Sequence, residues 1–278
     1  GSVNMMIIAG FLMRIPNRIV WVRTLSSQFE RNKFNESRKK IIYNMATLLI
    51  ANSNATKNDV MKIFDLSNSK IQVMANAVSD CVNDFDKNAK TNPNIVFAGR
   101  LHQSKGIDVL IKAFNILHIE YPTLTLEIIG DGALRPELEK IPLDSAKKRV
   151  IFRGKVLKGE VLKSFCESLC VVIPSTAEAF GFTVIESMSM KACTIGANNT
   201  GIMEIIQDGI SGLLFETGDE EDLARKIEVI YRDENLRNYL SQGGYKRFQD
   251  HYSTQVAIKR DFNFFQKLIK SIFNNLKV

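Results

Sequence analysis

Three short segments of this sequence carry polar and charged residues suited to chemistry on a phosphorylated, hydroxyl-rich ligand. The first runs Phe97-Ala98-Gly99-Arg100-Leu101-His102-Gln103-Ser104-Lys105-Gly106. Arg100 and Lys105 put two cations on one loop. They could clamp a diphosphate, helped by the partial positive charge of a following helix start; two loop cations also suit a plain solvated surface. The second segment runs from Pro174 to Glu186 and carries Glu178, Phe180, Gly181, Phe182, Thr183 and Glu186. Two carboxylates at that spacing suit a polyol, because each can accept hydrogen bonds from a pair of hydroxyls. Gly181 lets the backbone approach a bound group closely, and the free amides of a helix start can cradle phosphate. An acid beside a helix start is also a favourable dipole partner with no ligand at all. The third segment is the turn Asn198-Asn199-Thr200-Gly201, followed by Glu204, which faces a cleft or caps neighbouring amides.

Such loops need a scaffold that presents them on one side. From about Asn94 onward short β-branched runs alternate with amphipathic segments, the pattern of a parallel sheet covered by helices. The strands read as Ile95 to Phe97, Leu124 to Ile129, Val150 to Phe152, Val171 to Ile173 and Cys193 to Ile195. Ile107, Leu110, Ile111, Phe114 and Leu117 share one helical face, which Tyr121-Pro122 stops. Helices are expected from about Ile202 to Gln207, Asp219 to Asp233 and Asn235 to Asp250. Another runs from Thr254 to Leu276, with Phe262, Phe265, Leu268, Ile269 and Phe273 on one side. In open parallel sheets ligands bind at the carboxyl ends of the strands, and all three segments fall there. The first eighty or so residues also alternate. Helices read at Met5 to Met13, Glu36 to Asn44 and Ala55 to Phe64; strands at Arg18 to Val22, Leu48 to Ile50 and Lys70 to Met74. Ser79 to Asn92, rich in Asn, Asp and Lys, reads as a linker.

Composition narrows the class. A chain of 278 residues with 45% hydrophobic and 24% charged residues has the make-up of a globular protein with room for two cores. No apolar run approaches the length needed to span a bilayer, and the opening Gly-Ser-Val-Asn has no signal-peptide pattern. Cys81, Cys166, Cys170 and Cys193 form no metal or redox motif and read as core residues in a reducing compartment. His102, His118 and His251 have no ligand spacing. The net charge of +7 reads as spread thinly along the chain, either a solvated surface or an attraction to phosphates or an acidic membrane face. No aromatic-plus-basic stripe points to nucleic acid.

The ordered motifs G-R-L-x-x-x-K-G, I-G-D-G, P-S-x-x-E-x-F-G-x-x-x-x-E, a Gly turn with x-x-E and D-G-x-x-G-x-L resemble glycosyltransferase family 4 over roughly Ala46 to Leu276. The resemblance implies an α/β, GT-B type protein with two Rossmann-like parallel-sheet domains and a retaining mechanism. Residues 1–78 would be part of an acceptor-side N-domain, 79–91 a linker, and 92–252 the nucleotide-sugar donor domain. Residues 253–278 would form a helix crossing back to the N-domain. Arg100 and Lys105 would bind the donor diphosphate and stabilise the leaving group, Glu178 would hold donor-sugar hydroxyls and Glu186 the ribose. Gly99 and the backbone of Phe180, Gly181, Phe182 and Thr183 would line the phosphates and sugar, and Lys155 and Val156 would border the base. Gly201 and Glu204 are further candidates.

The sequence departs from the family pattern at several positions. Ala77 replaces the Gly of an N-G-V hinge, Lys191 and Cys193 stand where the E-x7-E helix usually ends in Gly then Pro, and Thr200 replaces the first Gly of a pair. Arg23 stands where many relatives have a His, as a substitute phosphate or acceptor contact or as a plain surface arginine. The N-terminal part is about half a usual domain, so the chain is expected to be a fragment that binds nucleoside diphosphate but does not itself complete transfer. The resulting expectation is a bacterial, cytoplasmic enzyme, peripheral at the inner membrane face. It would move a sugar from a UDP- or GDP-sugar to a saccharide or lipid-linked acceptor in surface polysaccharide assembly. It would touch anionic membrane and need no cofactor, metal or nucleic acid. The alternatives are a non-enzymatic nucleotide-sugar-binding module and a sugar-nucleotide epimerase on the same fold.

Overall fold

The computed structural model describes residues 2–26, 33–85 and 92–275. The chain divides into two compact units, Gly1–Asn76 with Gln255–Val278, and Ala77–Thr254. The first contains α1 (Ser2–Leu12), β1 (Ile19–Val22), α2 (Lys33–Met45), β2 (Leu48–Ala51), α3 (Asn54–Phe64) and β3 (Ile71–Val73). Its strands form a parallel sheet in the order β1-β2-β3, with Ile19 opposite Leu48 and Leu49 opposite Ile71. The short apolar strands need cover, and Val20, Val22, Leu49 and Ile71 bury against Ile42 of α2 and Val60 and Phe64 of α3. Ser53 starts α3 by accepting a hydrogen bond from the Thr56 amide.

The second unit runs β4 (Asn94–Ala98), α4 (Ile107–Leu117), β5 (Thr125–Ile129), α5 (Arg135–Leu138), β6 (Val150–Gly154), α6 (Lys158–Glu167), β7 (Cys170–Ile173) and α7 (Phe182–Ser189). It continues with β8 (Thr194–Ala197), α8 (Thr200–Ile205), β9 (Leu213–Phe215), α9 (Glu220–Arg232) and α10 (Glu234–His251). The six strands are parallel, in the order β6-β5-β4-β7-β8-β9. A sheet covered on both faces needs unbroken apolar strands, and all four residues of β7 and of β8 are buried. The exception is Glu127 in mid-β5, nearly buried, which accepts hydrogen bonds from Arg153 Nη1 (2.5 Å), Asn94 Nδ2 (2.8 Å) and Ser164 Oγ (3.3 Å). A buried carboxylate persists only when paired in this way. Cys170 and Cys193 are buried, and burial pushes both thiols up, Cys193 to about 12, so neither is a thiolate at neutral pH.

The final helix, α11 (Thr254–Asn275), belongs from Gln255 onward to the first unit, where Arg260 Nη2 donates to the Ala75 carbonyl at 2.7 Å. Its apolar stripe is covered along one line only. Phe265 and Leu268 are half-buried while Phe262 and Ile269 are exposed, and the side chain of Phe273 lies outside those described. The first part of the expected linker, residues 79–85, falls within the second unit. Val82 is buried, and Asp80 accepts a 2.7 Å hydrogen bond from the Tyr245 hydroxyl of α10; residues 86–91 lie outside the described residues. The charge is not spread thinly either. The first unit carries 16 Lys and Arg against 5 Asp and Glu, a balance of +11, and the second carries 21 against 25, a balance of −4.

Lys191 takes the left-handed conformation that the sequence suggests for the end of α7, with φ 55°. A side chain there costs roughly 1 kcal/mol relative to glycine. Its ammonium, however, lies 4.7 Å from the Tyr245 ring centroid, a contact worth about 0.5–1 kcal/mol at an exposed site. Lys191→Gly is therefore expected to raise the melting temperature by no more than about 2 °C. Lys191→Ala keeps the strain, loses the ring contact and should lower it. A scanning calorimetry pair in which both variants fall equally would show that the backbone is unstrained.

Candidate functional site

Strand order places the crevice. From β4 the chain runs outward through β5 to β6, then returns to β7 on the other side of β4 and continues outward to β9. The chain thus reverses its direction of travel between β4 and β7, and the loops leaving these two neighbouring strands lie side by side at the carboxyl edge, where open parallel sheets bind ligands. Those are the loops that carry Arg100, Lys105 and Glu178.

The loop after β4 passes Gly99 and Arg100, makes a tight turn over Gln103–Lys105 and enters α4 through Gly106. Gly106 has φ 61°, and a Cβ there would lie 2.1 Å from the Pro174 carbonyl at the end of β7. Glycine thus lets the two loops touch backbone to backbone. The Thr176 amide adds a 2.9 Å hydrogen bond to the Ser104 carbonyl. Across this seam Lys105 Nζ donates to Glu178 Oε2 at 2.6 Å, with 23% and 21% of the two side chains exposed. The third loop is fastened to the second. The Gly201 amide donates to the Glu178 carbonyl at 3.1 Å, and a Cβ on Gly201 would fall 2.5 Å from that oxygen. Asn199 Nδ2 also donates to the Ser175 carbonyl.

Gly181 caps the N-terminus of α7, and Glu186 sits in the second turn with its side chain 18% exposed. Lys158, the first residue of α6, donates to Glu186 Oε1. Beside these groups lies a cleft of about 330 Å³ lined by Gly99, Arg100, Gly130, Asp131, Lys155 and Val156, with Ala98, Ile129 and Val161 as its apolar floor. Arg100 is exposed at this cleft, whereas Lys105 faces Glu178 and is not among its walls. Phe180 is buried, its ring 6.0 Å from that of Tyr252, so only its backbone can serve a ligand. Phe182 is exposed and Thr183 half-exposed at the start of α7.

Two further candidates, Glu204 and Arg23, are held by contacts of their own. The Glu204 carbonyl accepts from Arg247 Nη2 (2.9 Å) and from the Tyr252 hydroxyl (3.4 Å), so α8 is tied there to the α10 side of the unit. Arg23 belongs to the first unit, where its guanidinium stacks 5.1 Å from the Trp21 ring centroid. Sequence reasoning missed Lys158. The available signal was a lysine at the first position of a helix, against the dipole. Among the described residues no group of three or more His, Cys, Asp or Glu side chains converges as a metal site requires.

The family model for glycosyl transferases group 1 matches residues 82–247, more than half of the chain and all of the loops just described. The chain is a group 1 glycosyl transferase by family. Among curated relatives, it is 27% identical to an uncharacterized glycosyltransferase of Methanocaldococcus jannaschii, over 78% of this chain and 59% of that one. It is 28% identical to the capsular polysaccharide biosynthesis glycosyltransferase CapM of Staphylococcus aureus, over 90% of this chain and 70% of that one. The chain thus spans about three fifths of the first of these relatives. The structure of Anabaena HepE in complex with UDP superposes with a TM-score of 0.86 at 20% identity, covering 96% of this chain and 76% of HepE. Sucrose-phosphate synthase from Thermosynechococcus elongatus superposes at 0.80 and 18% identity, over 96% and 72%. The fold of this group 1 glycosyl transferase is α/β of the GT-B type, built on parallel sheets.

Proposed function

We propose that the second unit binds a UDP- or GDP-sugar and that the protein transfers its sugar, with retention, to a saccharide or lipid-linked acceptor in surface polysaccharide assembly. The observation that carries this reading is the Lys105–Glu178 pair across the seam between the β4 and β7 loops, beside the Arg100 cleft. It sets a phosphate-binding cation against a hydroxyl-binding carboxylate, which is what the junction of a sugar and a diphosphate requires. Arg100 and Lys105 take the diphosphate and stabilise charge as it develops on the leaving group. Glu178 holds the sugar, Glu186 the ribose, and the amides of residues 180–183 approach the phosphate and sugar. Lys155 and Val156 flank the base. Two cations on one loop can take the charge of the leaving group, and the reading calls for no metal. HepE, carrying UDP on the same fold, and CapM, named for capsular polysaccharide, support the donor and the setting. The +11 balance of the first unit suits an anionic acceptor such as a lipid diphosphate, or an anionic membrane face. No described helix is long and apolar enough to cross a membrane.

The two glutamates test the assignment. Glu186→Ala is expected to weaken nucleoside diphosphate and nucleotide-sugar alike, by about 1.5–3 kcal/mol for a hydrogen bond to a charged group. Glu178→Ala should weaken the nucleotide-sugar relative to the free nucleotide. Calorimetric titration in which Glu178→Ala lowers both affinities equally would reject the division of roles.

A further inference from the structure

Lys158 has no evident role in its own helix. It is the first residue of α6, where a cation opposes the helix dipole. The capping there is done by Glu160, whose carboxylate accepts from the Leu157 amide at 3.1 Å. The lysine instead reaches across to α7 and donates to Glu186 Oε1. The turn just before it supplies Lys155 and Val156 to the wall of the cleft, and Val161, one turn on, supplies its floor. Lys158 therefore ties that wall to the carboxylate proposed for the ribose.

We infer that Lys158 is a positioning residue for the nucleoside end of the donor, and that it sets the discrimination between ribonucleotides and 2′-deoxyribonucleotides. The inference rests on Glu186 being the ribose carboxylate. A carboxylate offers two oxygens and about four acceptor sites. With Oε1 engaged by the ammonium, one orientation of the carboxylate is favoured and Oε2 is left to accept from the ribose 2′-hydroxyl, the group that a 2′-deoxyribonucleotide lacks. The ammonium also offsets a negative charge that would otherwise repel the neighbouring diphosphate. Without Lys158, Glu186 keeps its chemistry but loses its orientation, so the loss falls on the ligand that has the second hydroxyl.

The test is calorimetric titration of UDP and 2′-deoxy-UDP, with GDP and 2′-deoxy-GDP in parallel, into the wild-type chain and into Lys158→Ala, Lys158→Arg and Glu186→Gln. The wild type is expected to prefer the ribonucleotide by about tenfold. Lys158→Ala should cut that preference by about threefold, as suits a half-exposed ion pair, and Lys158→Arg should restore it. A purely structural role would move both ligands together and leave the ratio alone. An unchanged ratio in Lys158→Ala, with Glu186→Gln abolishing the preference, overturns the Lys158 inference and leaves the ribose assignment standing. An unchanged ratio in both variants, or no binding of any of these nucleotides to the wild type, overturns the assignment and the inference together.

Discussion

Arg100→Ala and Lys105→Ala are each expected to weaken nucleoside-diphosphate binding by about 1.5–3 kcal/mol, or roughly 10- to 150-fold. Lys105→Ala should be the more damaging. Arg100 stands at the cleft alone, but Lys105 also neutralises Glu178 at 2.6 Å. Removing it takes away a phosphate contact and leaves a carboxylate, four-fifths buried, facing an anion. Glu178→Gln provides the complementary expectation. In the wild type it frees Lys105 for phosphate and should tighten nucleoside-diphosphate binding by about threefold. In the Lys105→Ala background the part of that gain due to the released lysine should vanish, while any part due to simple repulsion persists. A double-mutant cycle by calorimetry separates the two. Unchanged affinity in both single alanine variants would remove the clamp altogether.

Gly106→Ala is expected to disrupt site and fold together, at a cost on the order of 3 kcal/mol in stability from left-handed strain plus overpacking. The added methyl would meet the Pro174 carbonyl at 2.1 Å, and that oxygen is backbone at the end of a buried strand and has no rotamer to escape into. The loops would have to part along the seam that sets Lys105 against Glu178, so nucleotide affinity should fall as well. Gly159→Ala is the control. It lies in the first turn of α6 with nothing within 4 Å of the new Cβ, so the variant should be as stable as the wild type or slightly more so. Denaturant unfolding with Gly106→Ala as stable as the wild type would show that the seam is not tight.

The elements were largely legible, because hydropathy period is a local property. Ile107 to Leu117 and Val171 to Ile173 each declare their type, and the motif loops follow directly from where the strands end. The pairing of strands is non-local and was not legible. Nothing in β4 or β7 says that they are neighbours, so the seam that sets Lys105 against Glu178 emerges only from the sheet order. The same holds for charges. Glu127 and Arg153 are 26 residues apart and satisfy one another only because β5 pairs with β6. Lys158 and Glu186 are 28 residues apart and meet only when α6 packs beside α7. Phe180 is assigned to the site through its backbone, and its buried ring is compatible with that assignment. The net charge of +7 concealed a division into +11 and −4, because a sum over the chain carries no information about which unit each residue joins.

The most direct test of the donor site is a crystal structure of the chain with UDP or GDP, whichever raises its melting temperature more by mass action. The reading predicts the diphosphate within about 3.2 Å of both Arg100 and Lys105, with the Lys105–Glu178 pair opened. It also predicts the ribose on Glu186 and the base against Lys155 and Val156. A nucleotide bound elsewhere, or seated in the 330 Å³ cleft with its phosphates touching neither cation, would contradict it.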